Sequence, residues 1–248
     1  MSIRSRKAPR LEWLPVKTDL IMSWSGGKDS AYALWRLQRD DRFAVRGLLT
    51  TVTEDYARIS MHGVRESLLD AQARVLGLPL HKVLIPPTCP NAEYESRLGK
   101  TVGQLIAEGI GAFGFGDLFL EDIRAYREKQ FAGLPVAPVF PIWGEETAPL
   151  ARRMVHDGFR ATLCCVDPRQ LDPAFAGRAY DLSLLEDLPA DVDPCGENGE
   201  FHTFVHDAPN FAEPIPVIAG ERVEREGFCF ADLLPAEEIP AGIEAGVR

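Results

Sequence analysis

Along the first two thirds of the chain, short apolar runs of strand length alternate with stretches whose apolar positions recur every three or four residues. Leu20-Ile21-Met22, Phe43 to Val52, Pro79 to Ile85, Ala112 to Phe115, Pro135 to Phe140 and Phe159 to Val166 are β-rich, largely apolar and bounded by turn residues. They read as buried strands. Between them lie helical patterns. The first carries Ala31, Leu34, Trp35 and Leu37; the second carries Val64, Leu68, Leu69, Ala71, Ala73, Val75 and Leu76 and is closed by Gly77. Ala92 to Glu108 places Leu98, Val102, Leu105 and Ile106 on one face, and Glu145 to His156 is stopped by Gly158. Glu121 to Phe131 is charged and is expected to be an exposed helix. Strands alternating with helices predict an α/β fold, a doubly wound and mainly parallel sheet covered on both faces. Phe159 to Val166 is expected to be its last strand.

The alternation stops near Asp167. Residues 169–189 read as helix and loop, and Phe201–Val205, Ile215–Ile218 and Arg222–Phe230 as short strands, with Ala219-Gly220-Glu221 turning between the last two. The expected organisation is a nucleotide-binding domain over 18–167 and a smaller, mixed C-terminal region over 168–235. Residues 1–17 and 236–248 form tails, the first basic and the second rich in Glu, Ala and Gly.

Ligands of such sheets bind at the carboxyl ends of the strands. That rule selects Ser25–Ser30, Val52–Arg65, Gly116–Asp117 and Pro141–Gly144 as the borders of a site. The first of these, Ser25-Gly26-Gly27-Lys28-Asp29-Ser30, lies between a strand and a helix. Adjacent glycines let the backbone close round an anion, and the N–H groups and dipole of the new helix attract it. Ser25 and Ser30 add hydroxyls, Lys28 a cation, and Asp29 a carboxylate suited to Mg²⁺. The spacing is not that of a Walker A loop, and the third glycine of the dinucleotide fingerprint is missing. A second cluster, Asp193-Pro194-Cys195-Gly196-Glu197-Asn198-Gly199-Glu200-Phe201-His202-Thr203, packs glycines, carboxylates, a histidine and a threonine into one short stretch. Glu197 and Glu200 suit an ammonium, a cation or a proton-transfer role. A solvated surface turn is the plain alternative.

Composition narrows the classes. The chain is 46% apolar and 26% charged, as in soluble globular domains. A net charge of −10 argues against a broad nucleic-acid footprint. There is no apolar run long enough to span a bilayer and no secretory signal in the first residues. Five cysteines with no C-x-x-C pair argue against a zinc ribbon, an iron–sulfur site or a disulfide framework and fit a reducing cytoplasm. Cys164-Cys165, in a β-rich run, are expected to be buried thiols.

Ser-Gly-Gly-Lys-Asp-Ser resembles the pyrophosphate-binding loop of the ATP pyrophosphatases, a superfamily with GMP synthetases, asparagine synthetases and tRNA-thiolating enzymes. Together with Gly196-Glu197-Asn198-Gly199-Glu200-Phe201-His202-Thr203, Met61-His62-Gly63-Val64-Arg65, Phe115-Gly116-Asp117 and Pro141-Ile142-Trp143-Gly144, it resembles the diphthine–ammonia ligases and related ATP-binding proteins over about residues 19–230. The resemblance implies an adenine-nucleotide hydrolase-like sheet. It also implies amide formation from a carboxylate, ammonium and ATP, with Mg²⁺, giving AMP and pyrophosphate. In the founding members the carboxylate is that of diphthine, a modified histidine on a translation elongation factor. A homodimer is implied by the resemblance alone.

On this reading Ser25, Gly26, Gly27, Lys28, Asp29 and Ser30 bind nucleotide, with Asp29 as the metal ligand. Lys28, Asp29, Glu197 and Glu200 carry the chemistry, and Gly196, Gly199, His202 and Thr203 border the substrate. His62 and Arg65 contact nucleotide phosphate or substrate acid, or serve as structural caps. Asp117 binds Mg²⁺ or substrate, or caps a helix. Trp143 lines the pocket or belongs to the core. Two other classes stay open on sequence: an ATP-dependent RNA-modifying enzyme of the thiolation type, and a nucleotide-binding module without catalysis.

Overall fold

The computed structural model describes residues 17–54, 58–59 and 63–235. The tails 1–16 and 236–248, and His62 with its neighbours 60 and 61, lie outside the described residues. Strands β1 (Thr18–Ser23), β2 (Phe43–Thr53), β3 (Arg58–Ile59), β4 (Leu80–Ile85), β5 (Ala112–Gly114) and β6 (Ala137–Val139) form one six-stranded sheet. Its parallel part runs β4-β2-β1-β5-β6, and β3 adds antiparallel at the end of β2. The chain builds outward from β1 to β2 and β4, then returns to the other side of β1 for β5 and β6. The switch point between β1 and β5 opens a crevice at the carboxyl end of the sheet.

Alternation along the strands divides the core. Leu20 and Met22 of β1 pack in one cluster with Leu34, Leu37, Leu68 and Leu69, from helices α1 (Lys28–Gln38) and α2 (Glu66–Leu76). Ile21 points the other way, into a cluster with Phe113 of β5, Val102 and Leu105 of α3 (Asn91–Ala107) and Phe131 of α4 (Glu121–Phe131). Period two in the strands and 3.6 in the helices thus produce two covered faces. Helix α4 buries only Phe131, which contributes about 2–3 kcal/mol by burial. Its charged character agrees with the sequence, but it is not simply exposed: Ile123, Arg127 and Gln130 border a cleft.

Helix α5 (Thr147–His156) leads away from the parallel sheet. The strand after it, β7 (Arg160–Val166), does not extend the alternation as the sequence suggested. It pairs antiparallel with β8 (Phe201–Asp207) and β10 (Phe228–Pro235), in a second sheet ordered β8-β7-β10-β9, with β9 at Val217–Arg225. A buried apolar strand reads the same in either sheet, so its partner is decided by the remote strands β8 and β10. A short 3₁₀ turn, Pro173–Phe175, and helix α6 (Leu182–Asp187) connect β7 to the loop before β8.

The hairpin β9–β10 corrects a second expectation. Its turn is Glu226-Gly227, both residues at positive φ (53° and 81°), not 219–221. Two left-handed residues match the twist of the flanking strands. Gly220 lies inside β9, where a Cβ would come within 2.9 Å of the Asp232 carbonyl beside a break in register. The glycine marks that irregularity rather than a reversal.

Candidate active site

The glycine loop leaves β1 and starts α1 at Lys28, with Gly27 as the N-cap. Gly27 has no side chain to close the helix. The Lys28 N–H is taken by Thr203 Oγ1 at 3.1 Å. Those of Asp29 and Ser30 lie in the first turn, where no intrahelical carbonyl reaches them. Ser25 Oγ and Ser30 Oγ are 3.0 Å apart, Ser30 Oγ donates to the Gly27 carbonyl at 2.9 Å, and the Gly27 N–H reaches Ser25 Oγ at 3.3 Å. Gly26 is at φ 77°, where an L side chain is strained, and a Cβ there would meet Gln72 Oε1 at 2.8 Å. Gly116, after β5, abuts the backbone of Asp29 and Ser30, with a virtual Cβ 2.8 Å from the Ser30 nitrogen. Only glycine lets the end of β5 approach the helix start this closely.

Gln72 is a component the sequence reading missed. It is fully buried on α2. Its Nε2 donates to the carbonyls of Gly26 (3.0 Å) and Val205 (2.7 Å), while its Oε1 accepts from the Trp24 indole N–H at 2.9 Å. The Val205 N–H in turn donates to the Gly26 carbonyl at 2.9 Å. The only local signal was a polar residue among the apolar positions of a core-facing helix stripe.

Lys28 is 2% exposed. Its ammonium donates to Asp29 Oδ2 at 2.8 Å and Oδ1 at 3.1 Å, and to the Cys195 carbonyl. It stands 5.4 Å from the ring centres of both Tyr180 and Phe201, a cation–π setting. Burial pulls its pKa down, but Asp29, with Cys195 and Glu197, more than offsets this, and the net shift is upward. Burial pushes the Asp29 carboxyl up, against the opposing pull of Lys28.

The second cluster meets this loop from β8 and the turn before it. Its two glutamates separate. Glu200 is 2% exposed and accepts from the Asp193 N–H, the Asn198 N–H and Asn198 Nδ2, at 2.9, 3.0 and 2.9 Å. It fastens its own loop and does not border the cleft. Glu197 borders the cleft and accepts the Leu118 N–H at 2.8 Å. Burial pushes its carboxyl up to about 7, helped by Asp29 and Asp117 and opposed by the Leu118 N–H and Lys28. Gly196 is at φ 67°, with a virtual Cβ 2.7 Å from the Phe201 carbonyl. Gly199, His202 and Thr203 also border the cleft. Burial pulls His202 down to about 4, so it is neutral at pH 7.

The cleft encloses about 510 Å³. Its lining combines polar groups, Ser25, Lys28, Asp29 and Glu197, with apolar side chains, Leu98, Val102 and Phe131. Asp117 borders it at the end of β5, and its carboxyl is raised by burial against the pull of Arg127. It does not cap α4, whose N-cap is Leu120. Arg65 stands elsewhere, at the start of α2, in a bidentate pair with Asp232 of β10 (3.2 and 2.7 Å). The loop 141–144 also misses the cleft: the Gly144 N–H donates to the Leu118 carbonyl, and Trp143 packs half-buried beside Phe140 and Arg124. Cys164 and Cys165 are buried, as expected.

Among the described residues no three His, Cys, Asp or Glu side chains form a metal cage, and no helix is long and apolar enough to cross a membrane.

Two family models match in order along the chain: the diphthamide synthase N-terminal domain over residues 18–131, and the diphthamide synthase C-terminal domain over 146–236. The diphthine–ammonia ligase of Danio rerio is 27% identical over 227 residues, covering 84% of this chain and 89% of its own length. Those of Rattus norvegicus and Homo sapiens are 27% and 26% identical, each over 84% of this chain and 85% of theirs. With both domains present in order and joined at one cleft, the chain belongs to the diphthamide synthase family, as an ATP-dependent, amide-forming ligase.

Proposed function

We propose that the cleft adenylates the carboxylate of diphthine, or of a closely similar modified histidine on a translation elongation factor, and passes the acyl group to ammonia. The observation that carries this is the meeting of an uncapped, glycine-rich helix start with a Glu197 carboxyl raised to about 7 on one cleft wall. The lining fits ATP: polar groups suited to phosphates and apolar side chains suited to a purine.

A carboxylate does not react with ammonia directly, because oxide is a poor leaving group. In the first step a carboxylate oxygen bonds to the α-phosphorus of ATP, and the bond to the bridging oxygen of the β-phosphate breaks with its electron pair. Pyrophosphate leaves and an acyl-adenylate remains. The first-turn N–H groups and Lys28 are placed to stabilise the charge on that leaving group. Asp29 is suited to Mg²⁺, since it is partly open to the cleft and each oxygen keeps lone pairs beyond those facing Lys28. Bound there, the ion neutralises phosphate charge.

In the second step ammonia bonds to the acyl carbon, AMP leaves with the electron pair of the broken C–O bond, and the new C–N nitrogen releases its extra proton to solvent to give the neutral amide. Ammonia arrives as ammonium. Glu197, ionised above pH 7 and close to the negative groups Asp29 and Asp117, attracts that cation and accepts its proton. Glu200 has its oxygens engaged by three donors and serves to hold Glu197's loop.

The test is incubation with ATP, Mg²⁺, ammonium and elongation factor carrying diphthine, with nucleotide products and protein mass measured. AMP and pyrophosphate in step with conversion of carboxylate to amide are expected. ADP and phosphate as sole products would overturn the proposal. The reading also places the enzyme in the cytoplasm, where its substrate works, and takes it as a homodimer, which sedimentation would check.

A further inference from the structure

Three side-chain polar atoms among the described residues are buried without a hydrogen-bond partner: Asp117 Oδ2, Arg127 Nε and Asn210 Oδ1. The first two form an ion pair at 3.7 Å on the wall of the cleft, too far apart for a good hydrogen bond, so each keeps an unmade hydrogen bond. Buried polar groups are rarely left so, and the cost of each unmade bond favours a ligand that completes both. Arg127 comes from α4 and rests over the Phe115 ring, 5.0 Å from its centre, which fixes where its fork points. Asp117 follows Gly116, whose backbone lies against the first turn of α1. The pair therefore lies on the cleft wall beside the anion-binding loop.

The two orphans ask for opposite things. Arg127 needs acceptor oxygens and matches a phosphate or carboxylate. Asp117 needs hydroxyl or N–H donors. A sugar 5′-phosphate offers both on one rigid unit, hydroxyls beside an anionic phosphate. Resting on the ATP-cleaving reading above, we infer that Arg127 grips the α-phosphate of the nucleotide while Asp117 accepts its ribose hydroxyls, so that these two residues hold AMP after pyrophosphate has left. The glycine loop then binds the departing half of ATP and the Asp117–Arg127 pair the retained half.

Calorimetric titration of the full-length protein with AMP and, separately, with pyrophosphate tests this. Arg127→Gln should weaken AMP binding about tenfold or more and leave pyrophosphate binding within about twofold. Arg127→Lys should restore only part of the loss, because an ammonium lacks the fork. Replacing AMP by 2′,3′-dideoxyadenosine monophosphate should cost affinity in the wild type but not in Asp117→Ala, which has no side-chain acceptor. Thermal unfolding of each variant checks folding; Arg127→Gln takes the cation away from Asp117 and should lower the unfolding temperature by several degrees while leaving the protein folded at the temperature of the titration. Unchanged AMP affinity in a folded Arg127→Gln protein would overturn the inference, and a loss confined to the carboxylate substrate's KM would assign Arg127 to that acid instead. If the wild type itself releases ADP rather than AMP, the fault lies with the proposed reaction, a separate readout.

Discussion

The glycine loop and the glutamate loop face each other across one cleft but are built on opposite principles. The glycine loop keeps main-chain donors available: its N-cap has no side chain, and the Asp29 and Ser30 N–H groups point from the start of a helix. The glutamate loop closes on itself. Asp193 accepts from the Cys195 and Glu197 N–H groups, and Glu200 accepts from three donors of the same turn. The carboxyl left facing the cleft is that of Glu197, held by one backbone N–H and raised by burial. One loop is an open cradle, and the other is a rigid mount for one carboxyl. Identical residue types thus take unlike roles when one is saturated by its surroundings and the other is not.

Lys28→Ala should break the contrast most severely. It removes the cation of the cradle and leaves Asp29 buried without its partner, so turnover should fall about 10³-fold or more and stability by about 3 kcal/mol. AMP formation and urea unfolding would measure the two effects. Glu200→Gln comes next. The amide nitrogen would face donors, and unfolding stability should drop by about 2–3 kcal/mol, with lost activity recovered in the fraction that remains folded. Glu197→Gln should do the reverse. Ammonia-dependent turnover should fall about 10²-fold, while pyrophosphate binding is retained.

The pH signs for Glu197 follow from its raised pKa. Wild-type turnover at saturating ammonium should rise through about pH 7 as Glu197 ionises, and the variant should lack that limb. Because the folded pKa exceeds the unfolded one, the wild type loses stability as pH rises through 7. Glu197→Gln should therefore be more stable than wild type at pH 8, by about 1 kcal/mol or more, and lose that advantage near pH 5. Gly227→Ala, at the tip of the second sheet's hairpin, should have the smallest effect. Its Cβ meets nothing within 4 Å, so only the strain of positive φ remains, about 1 kcal/mol in stability and no change in turnover.

Much of this was legible in the chain. The parallel strands announce themselves by apolar runs between amphipathic helices, and the glycine loop by its place between strand and helix. The antiparallel membership of residues 160–166 was not, since pairing is settled by β8 and β10, roughly 40 and 65 residues away. The hairpin turn was missed because Gly220 looked like a reversal and is instead a point of close approach. Clustered motifs pointed to Lys28, Asp29, Glu197 and Thr203, which the fold brings to one cleft, whereas Gln72 and Arg127 stand alone in helices with no pattern to flag them. Glu200 and Arg65 were selected by residue type, and only three-dimensional context shows each committed to a structural partner: a loop's N–H groups for one, Asp232 for the other.

The stitching of the glycine loop to β8 reaches beyond the site. Thr203 holds the Lys28 N–H, Val205 holds the Gly26 carbonyl, and Gln72 bridges both strands of that seam. The family's two sequence modules, 18–131 and 146–236, are therefore not separable working parts. A fragment severed before residue 146 would keep every residue of the glycine motif, yet its loop would lose the anchors that shape it. It should bind pyrophosphate far more weakly than the whole chain, and adding the missing piece in trans should bring the binding back. Neither half owns the cleft; it exists along their seam.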